Sequence, residues 1–264
     1  MYITLCFLYL PLLSSIVLPA AAQMLYCPVP KVASTTWGRI FLVLSGHLNT
    51  TNPLDIKPDD VHHKYSSFKT YLGDFSPEEI QYRLDNYFKF MLVREPFGRL
   101  VSAFRNKLQQ IGGVTDYFTT RFGTKIIKNY RRNASSEALQ LGTDVTFEEF
   151  VRYLIDPKRK IDLNEHWAPT HSLCHPCLVN YNFVGKLTDM ERDSQYIIDR
   201  VGLADRIKMP TRTDLKYLKK GADEYMASYY KNVSKPNLLE LVKFNEVDMQ
   251  IYKYNLPDEI NSLL

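Results

Sequence analysis

The stretch of residues 27–39 combines a lysine with a run of side-chain hydroxyls. Lys31 precedes the hydroxyl residues of Ser34–Thr36, between an apolar strand-like stretch and a helical pattern of apolar residues. The first N–H groups of a helix lack partners within it and lie at its positive end, where Lys31 adds a full charge. These residue types predict a cradle for a phosphate or a sulfate. The alternative is an ordinary helix start, with Thr35 or Thr36 as the N-cap and a solvated Lys31.

A second turn of this kind follows residues 88–93, which read as a buried strand. Arg94 comes directly after that strand, and Ser102 lies on the helix that starts at Pro96. A guanidinium and a hydroxyl in these positions suit a second phosphate, although a surface helix with Arg94 in an ion pair is the alternative. The chain has neither G-x-x-x-x-G-K-[ST] nor G-x-G-x-x-G, which argues against a nucleoside triphosphatase.

Three blocks of the sequence resemble, in order, motifs of the Golgi carbohydrate sulfotransferases. Residues 30–37 resemble the loop for the 5′-phosphosulfate of the donor, and residues 94–102 resemble the site for its 3′-phosphate. The third block, within residues 164–186, is similar to the branch that sulfates chondroitin, dermatan and related glycans containing N-acetylgalactosamine. The family loop usually has Cys at the position of Ser34 and often Asn at that of Thr36, and both replacements keep a small polar group.

The resemblance implies an α/β fold of the P-loop-like sulfotransferase type, with a mostly parallel sheet flanked by helices. Strands alternating with helices predict the same class, with strands at residues 24–26, 88–93 and 179–185. The implied protein is a PAPS-dependent carbohydrate O-sulfotransferase. It would move a sulfuryl group from 3′-phosphoadenosine 5′-phosphosulfate (PAPS) to a glycan hydroxyl, on N-acetylgalactosamine in a chondroitin-like acceptor. The residues that the resemblance assigns to the donor are Pro30, Lys31, Val32, Ala33, Ser34, Thr35, Thr36, Arg94, Glu95, Pro96, Phe97, Gly98, Arg99, Leu100, Val101 and Ser102.

Sulfuryl transfer needs a base for the proton of the acceptor hydroxyl and a cation beside the departing phosphate oxygen. Histidine is the usual base near neutral pH, and the resemblance places it between the two donor sites, at His63. His62 and His166 stay open as alternatives, and His62 and His63 could both be solvated. Lys31 is the implied cation. Positioning and charge stabilisation can carry such a displacement, so no metal is expected.

A basic cluster without an acidic residue between its members runs from Arg121 to Arg132. Arg121 and Lys125 are its candidates for contact with carboxylates or sulfates of an anionic glycan, although basic clusters are usually solvated faces. His166 is a further candidate for acceptor contact, and Trp167 offers an apolar plate for a sugar ring. The alternative for Trp167 is packing in the core.

Three cysteines lie outside the apolar N-terminal stretch: Cys27, Cys174 and Cys177. One disulfide and one free thiol is the simplest accounting in a lumenal protein, and the sequence leaves the pairing open. The spacing Cys174-x-x-Cys177, with His171 and His175 nearby, is also compatible with a zinc site, which would need four ligands.

Residues 1–22 differ from the rest of the chain, because no charged side chain occurs from Tyr2 to Ala22. They predict a signal peptide or a signal-anchor that spans the bilayer, with a buried helix as the alternative. Residues 24–264 are predicted to form one sulfotransferase domain. The resemblance implies the Golgi lumen, as a single-pass type II membrane protein, or secretion after cleavage. The predicted glycosylation sites, which support a secretory route, are Asn49, Asn133 and Asn232.

A net charge of +4 over 264 residues implies no nucleic-acid partner. The expected partners are a glycan or proteoglycan acceptor and, if residues 1–22 are retained, the Golgi membrane. Two rival functions stay open: a catalytically inactive glycan-binding homologue, and a small-molecule kinase, which would want a glycine-rich loop and a magnesium-binding carboxylate. A segment around Arg212 resembles the part of the family that closes over the donor.

Overall fold

The structure is a computed structural model that describes residues 13, 16–19, 22–109, 116–207, 209–211, 213, 214 and 225–264. The described residues of Met1–Arg94 and Thr170–Lys219 form one compact unit. Those of Glu95–Pro169 and Lys220–Leu264 form a second one. Arg212, for which the sequence predicts a part in closing over the donor, lies outside the described residues.

Helices follow short strands in the first unit, whereas the described residues of the second unit contain helices only. The strands are β1 Val17–Leu18, β2 Met24–Cys27, β3 Thr70–Tyr71, β4 Phe88–Val93 and β5 Phe183–Lys186. The α-helices are α1 Ser34–Leu44, α2 Pro58–His62, α3 Pro77–Asn86, α4 Pro96–Lys107, α5 Asp116–Phe118, α6 Thr124–Tyr130, α7 Ser136–Leu141, α8 Phe147–Ile155, α9 Thr170–Cys174, α10 Pro176–Val179, α11 Met190–Arg200, α12 Met226–Tyr230, α13 Lys235–Tyr252 and α14 Asp258–Asn261. Short 3₁₀ turns occur at Pro53–Asp55, Ser66–Phe68, Leu72–Asp74 and Leu187–Asp189, and a π-helix at Thr119–Gly123.

The first unit is built on a five-stranded mixed sheet with the strand order β3-β1-β2-β4-β5. β2, β4 and β5 are parallel, whereas β1 is antiparallel to both β2 and β3. The register pairs Cys27 with Met91 and Val93 with Lys186, so the parallel strands end at the same edge of the sheet. Helices flank this sheet, and the predicted α/β class with a mostly parallel sheet is confirmed.

The predicted strands at residues 24–26 and 88–93 are confirmed as β2 and β4, but the strand predicted at residues 179–185 starts too early. Its first residue belongs to helix α10, after which Asn180 turns the chain with a left-handed φ of 51°. Pro176 favours this helix because its ring presets the φ of a first helical residue. β5 therefore begins only at Phe183.

β1 lies within residues 1–22, the predicted signal peptide or anchor. Residues 1–12, 14, 15, 20 and 21 of that segment lie outside the described residues. Ile16, Val17 and Leu18 are buried, and the Leu72 N–H donates to the Ile16 carbonyl at 2.8 Å. In the described part of the chain, no helix combines the length and the apolar character needed to cross a bilayer. The processing of residues 1–22 and the single domain over residues 24–264 stay predictions.

Aromatic packing holds α1 on the sheet. The buried rings of Tyr26 on β2 and Phe90 on β4 have centroids 4.9 Å apart, and those of Trp37 on α1 and Phe90 are 4.6 Å apart. Full burial of a Phe-sized side chain contributes about 1.5–3 kcal/mol to stability. Burial also raises the pKa of the Tyr26 phenol, which stays protonated. The cluster fixes the start of α1 relative to β2, and hence the loop between them.

The second unit packs helices around an aromatic core that contains Phe97, Phe104, Phe150 and Trp167. A buried carboxylate on α8 anchors the basic residue after α6. The Arg131 Nε donates to Glu149 Oε1 at 2.6 Å, and its Nη1 donates to Asp144 Oδ2 at 2.6 Å. Burial alone would raise the pKa of Glu149, but the hydrogen bonds from Arg131 and Thr146 outweigh it and lower that pKa. Arg131 is therefore a structural residue.

A disulfide joins Cys27 at the end of β2 to Cys174 at the end of α9, within the first unit. Cys177 is free and exposed, which confirms the predicted accounting of one disulfide and one free thiol. Cys174 cannot serve as a zinc thiolate while it is in a disulfide, so the alternative zinc site is excluded. Because the bond closes a loop of 147 residues, it removes much conformational entropy from the unfolded chain.

We expect Cys174→Ser to lower the free energy of unfolding by about 3–5 kcal/mol, because the unfolded chain regains the entropy of a long open loop. The matched control is Cys177→Ser, which should leave stability unchanged because that thiol is free and exposed. Chemical denaturation of the full chain measures both. Equal stabilities of the two variants would contradict the assigned pairing.

Candidate active site

The loop between β2 and α1 leads into a helix start without a side-chain cap. α1 begins at Ser34, and its N-cap Ala33 is left-handed, with a φ of 56° and no side-chain cap hydrogen bond. The hydroxyl residues Ser34 to Thr36 therefore occupy the first turn, and the alternative in which Thr35 or Thr36 caps the helix is wrong. The Thr36 N–H donates to the Ala33 carbonyl at 3.0 Å. At a helix start, a bound anion accepts hydrogen bonds from the N–H groups that come before that of Thr36.

Two residues of this loop have a left-handed backbone, Lys31 with a φ of 70° and Ala33 with a φ of 56°. This conformation costs a residue other than glycine about 1–2 kcal/mol, and it persists only where the surroundings fix it. Val29 and Val32, which are 1% and 0% exposed, anchor the loop in the core. A loop held in this way presents its N–H groups in fixed directions, as anion-binding loops do.

Helix α2 brings a histidine to this loop. His62 Nε2 lies 3.0 Å from Thr35 Oγ1. The approach of the two helices depends on Gly38, where an added Cβ would lie 2.6 Å from Val61 Cγ1. His63 is exposed and forms the C-cap of α2. Among the described residues, His62 is the one of these two candidate bases whose side chain contacts the first turn of α1, and the role of His63 stays a prediction.

Basic residues gather where the parallel strands of the first unit end. Lys31 follows β2, Arg94 directly follows β4, and Lys186 is the last residue of β5. Arg94 and Lys186 are both half-buried, and the Lys186 N–H donates to Asp193 Oδ2 at 2.9 Å, which fixes the end of β5. Ligands of open α/β sheets bind at this edge, and the cations favour an anionic ligand. Sequence reasoning assigned no role to Lys186, because its position depends on which strand pairs with β4.

The run that follows Arg94 serves the scaffold of the second unit. The Glu95 carboxylate caps α4, accepting hydrogen bonds from the Phe97 N–H at 2.8 Å and the Gly98 N–H at 2.6 Å. Four of the predicted donor contacts have side chains that are buried on this helix: Pro96, Phe97, Leu100 and Val101. They pack the helix against its surroundings, and their part in donor binding stays a prediction. Ser102 is half-buried on α4, and its role stays a prediction.

Arg99, another predicted donor contact, holds the turn that carries His166 and Trp167. It is 3% exposed and donates to the Ala168 carbonyl at 2.7 Å and the Glu165 carbonyl at 2.8 Å. Trp167 is fully buried, and its Nε1–H donates to the Tyr153 hydroxyl at 3.3 Å. The prediction that Trp167 offers a plate for a sugar is therefore wrong, because the ring has no free face.

The other predicted acceptor contacts keep access to solvent. His166 is half-buried, and its Nδ1 lies 2.6 Å from Asn164 Oδ1, whereas Arg121 and Lys125 are exposed. Within the described ranges, no group of His, Cys, Asp and Glu side chains is arranged to hold a metal ion. The predicted glycosylation sites are all exposed, and their modification stays a prediction: Asn49, Asn133 and Asn232.

Comparison with known proteins shows relatives over most of the chain. Carbohydrate sulfotransferase 11 of Mus musculus is 42% identical over 240 residues, which cover 89% of this chain and 66% of that protein. Carbohydrate sulfotransferase 14 of Danio rerio is 39% identical over 249 residues, 94% of this chain and 64% of that protein. Carbohydrate sulfotransferase 9 of Homo sapiens is 35% identical over 240 residues, 89% of this chain and 52% of that protein. The chain thus spans about half to two-thirds of the length of these relatives.

A family model, described as the sulfotransferase family, matches residues 15–255. No solved structure matches the sequence significantly. Since the family match takes in both units almost completely, the chain belongs to the sulfotransferase family.

Proposed function

We propose that this chain is a PAPS-dependent carbohydrate O-sulfotransferase. The observation that carries the proposal is the loop after β2 of this chain, which belongs to the sulfotransferase family. The loop has a left-handed Lys31 and leads into a helix start without a side-chain cap. Such a loop suits the phosphosulfate of PAPS, the donor that the family resemblance implies. The names of the relatives, all carbohydrate sulfotransferases, support a carbohydrate as the acceptor.

The donor has anionic groups at both ends, and the first unit has candidate residues for each. The first-turn N–H groups of α1 and the Lys31 ammonium suit the 5′-phosphosulfate. The Arg94 guanidinium suits the 3′-phosphate, because its planar fork can donate two hydrogen bonds to phosphate oxygens. Ser102 keeps its proposed role at the 3′-phosphate by resemblance alone.

The transfer is a displacement at sulfur. The oxygen of the acceptor hydroxyl bonds to sulfur, the bond between sulfur and the phosphate oxygen breaks, and the hydroxyl proton passes to a base. Lys31 stabilises the charge that grows on the departing phosphate oxygen. For the base we favour His62, because its Nε2 already lies 3.0 Å from the hydroxyl oxygen of Thr35 in the first turn of α1. His63, which the resemblance assigns, is the competing candidate.

The proposed acceptor is N-acetylgalactosamine in a chondroitin-like glycan, as the resemblance of residues 164–186 to that branch favours. The proposed location is the Golgi lumen, with residues 1–22 as a type II anchor, or secretion if they are cleaved. Exposed Asn49, Asn133 and Asn232 would carry glycans in either case.

We expect the full chain to transfer labelled sulfate from PAPS to desulfated chondroitin or dermatan, within a panel that also contains heparan and N-acetylgalactosamine-terminated oligosaccharides. Arg94→Ala should lower transfer at least about 100-fold, because the variant loses charge-assisted hydrogen bonds to the donor. The matched control is Arg206→Ala, which removes an exposed guanidinium from the same unit and should leave transfer unchanged.

The panel also separates the rival functions. Binding of glycan and of adenosine 3′,5′-bisphosphate without transfer to any acceptor would favour an inactive glycan-binding homologue. Binding of ATP without binding of the bisphosphate would favour a small-molecule kinase. A wild-type chain that neither transfers sulfate nor binds the bisphosphate would refute the proposal.

The choice of base can be tested by replacing each histidine separately. His62→Ala should lower kcat by about 10²–10⁴-fold with little change in the KM for PAPS, the usual effect of losing a general base. His63→Ala should have a smaller effect, and His47→Ala, another exposed histidine of the first unit, is the control. A larger loss of kcat in His63→Ala than in His62→Ala would assign the role of the base to His63.

A further inference from the structure

A row of exposed cations lies along one helical stretch of the second unit. α5, the π-helix and α6 follow each other without interruption from Asp116 to Tyr130. Arg121, Lys125 and Lys128 are exposed and recur at intervals that place them on one side of a helix. At about 1.5 Å of rise per residue, the row is about 10 Å long.

These cations have no counter-charge in the described part of the chain. None of Arg121, Lys125 and Lys128 has a carboxylate oxygen within the 4.0 Å of a salt bridge among the residues described. Like charges at these spacings repel and destabilise a helix. The neighbouring Arg131 differs, because Asp144 and Glu149 both bind it at 2.6 Å. The fold thus neutralises the cation that it uses structurally and leaves the row free for an anionic partner.

An exposed aromatic ring extends this row. Tyr117 is 51% exposed, and the Arg121 guanidinium carbon lies 5.7 Å from its ring centroid. Phe118 and Phe122 fix the orientation of the stretch, because both are buried and their ring centroids lie 6.0 and 4.9 Å from that of Trp167. The buried Trp167 therefore anchors the stretch from inside, and Tyr117 is the ring that faces solvent.

We propose that this surface binds an anionic stretch of the glycan acceptor. The cationic face consists of Tyr117, Arg121, Lys125 and Lys128. Its cations suit carboxylates or sulfates on successive sugars, and the flat, half-exposed ring of Tyr117 suits the apolar side of a sugar. The inference rests on the proposed function and deepens it, because a row of this length selects an anionic polymer over a neutral terminal sugar.

Exposed ion pairs are individually weak and are screened by salt, so the cationic face should act through several contacts at once. The KM for a long chondroitin chain should therefore rise with ionic strength. The turnover of bound acceptor should respond little, because charges of this kind act on encounter and binding rather than on the chemical step.

The test compares two triple variants of the full chain that lose the same charge. Arg121→Gln/Lys125→Gln/Lys128→Gln removes the row, and Lys231→Gln/Lys235→Gln/Lys243→Gln removes exposed cations elsewhere in the same unit. For long unsulfated chondroitin, the first variant should show a KM about tenfold higher, with an unchanged kcat and a loss of salt dependence. The control variant should match the wild type in all three quantities.

Retention on immobilised chondroitin sulfate without PAPS gives a second readout that needs no turnover. The row variant should elute at a lower salt concentration than the control, Tyr117→Ala should elute earlier than the wild type, and Tyr117→Phe should restore retention. Equal elution and equal KM of the two triple variants would overturn the inference while leaving the transferase proposal intact. If the wild type transfers no sulfate, the proposed function fails, and the column still decides whether the row binds anionic glycan.

Discussion

The parallel hydrogen bonding of β2 to β4 is the constraint on which the proposed donor site depends. Its register places Cys27 beside Met91, so the loop after β2 and Arg94 after β4 leave the sheet at the same edge. A slip by two residues would move Arg94 along the strand by about 6–7 Å, far more than a hydrogen bond tolerates. The aromatic cluster of Tyr26 and the disulfide of Cys27 both act on β2, which makes such a slip costly.

The donor loop departs from local backbone preferences where its chemistry requires it. Lys31 and Ala33 adopt left-handed conformations that glycine would adopt more easily. The N-cap of α1 is Ala33, so the helix begins without a side-chain cap hydrogen bond. Each departure costs stability, and a loop of this kind presents N–H groups to an anion. Buried Val29 and Val32 offset the cost by fixing the loop in the core. Such conflicts between local preference and the fold are expected at functional sites.

The sequence predicted the fold class, β2 and β4, because these features rest on local periodicity and composition, but it placed Ser34 to Thr36 ahead of α1, which begins at Ser34. It could not predict which distant residues meet. Trp167 reads equally well as a sugar plate or a core residue until the rings of Phe118 and Phe122 are placed against it. Arg131 looked like its basic neighbours, although a buried Glu149 claims it. The disulfide pairing and the contact of His62 with the loop are likewise set by tertiary structure.

The claim that one edge of the sheet holds both phosphate groups of one nucleotide is central. Calorimetry tests it most directly, by comparing the affinities of the wild type and Arg94→Gln for adenosine 3′,5′-bisphosphate and for adenosine 5′-monophosphate. We predict that the wild type prefers the bisphosphate by roughly 10- to 100-fold, the worth of hydrogen bonds to a charged group. Arg94→Gln should bind the two nucleotides with nearly equal affinity, while its affinity for the monophosphate stays that of the wild type. A full preference for the bisphosphate in Arg94→Gln would contradict the assignment of Arg94, and no preference in the wild type would contradict the site itself.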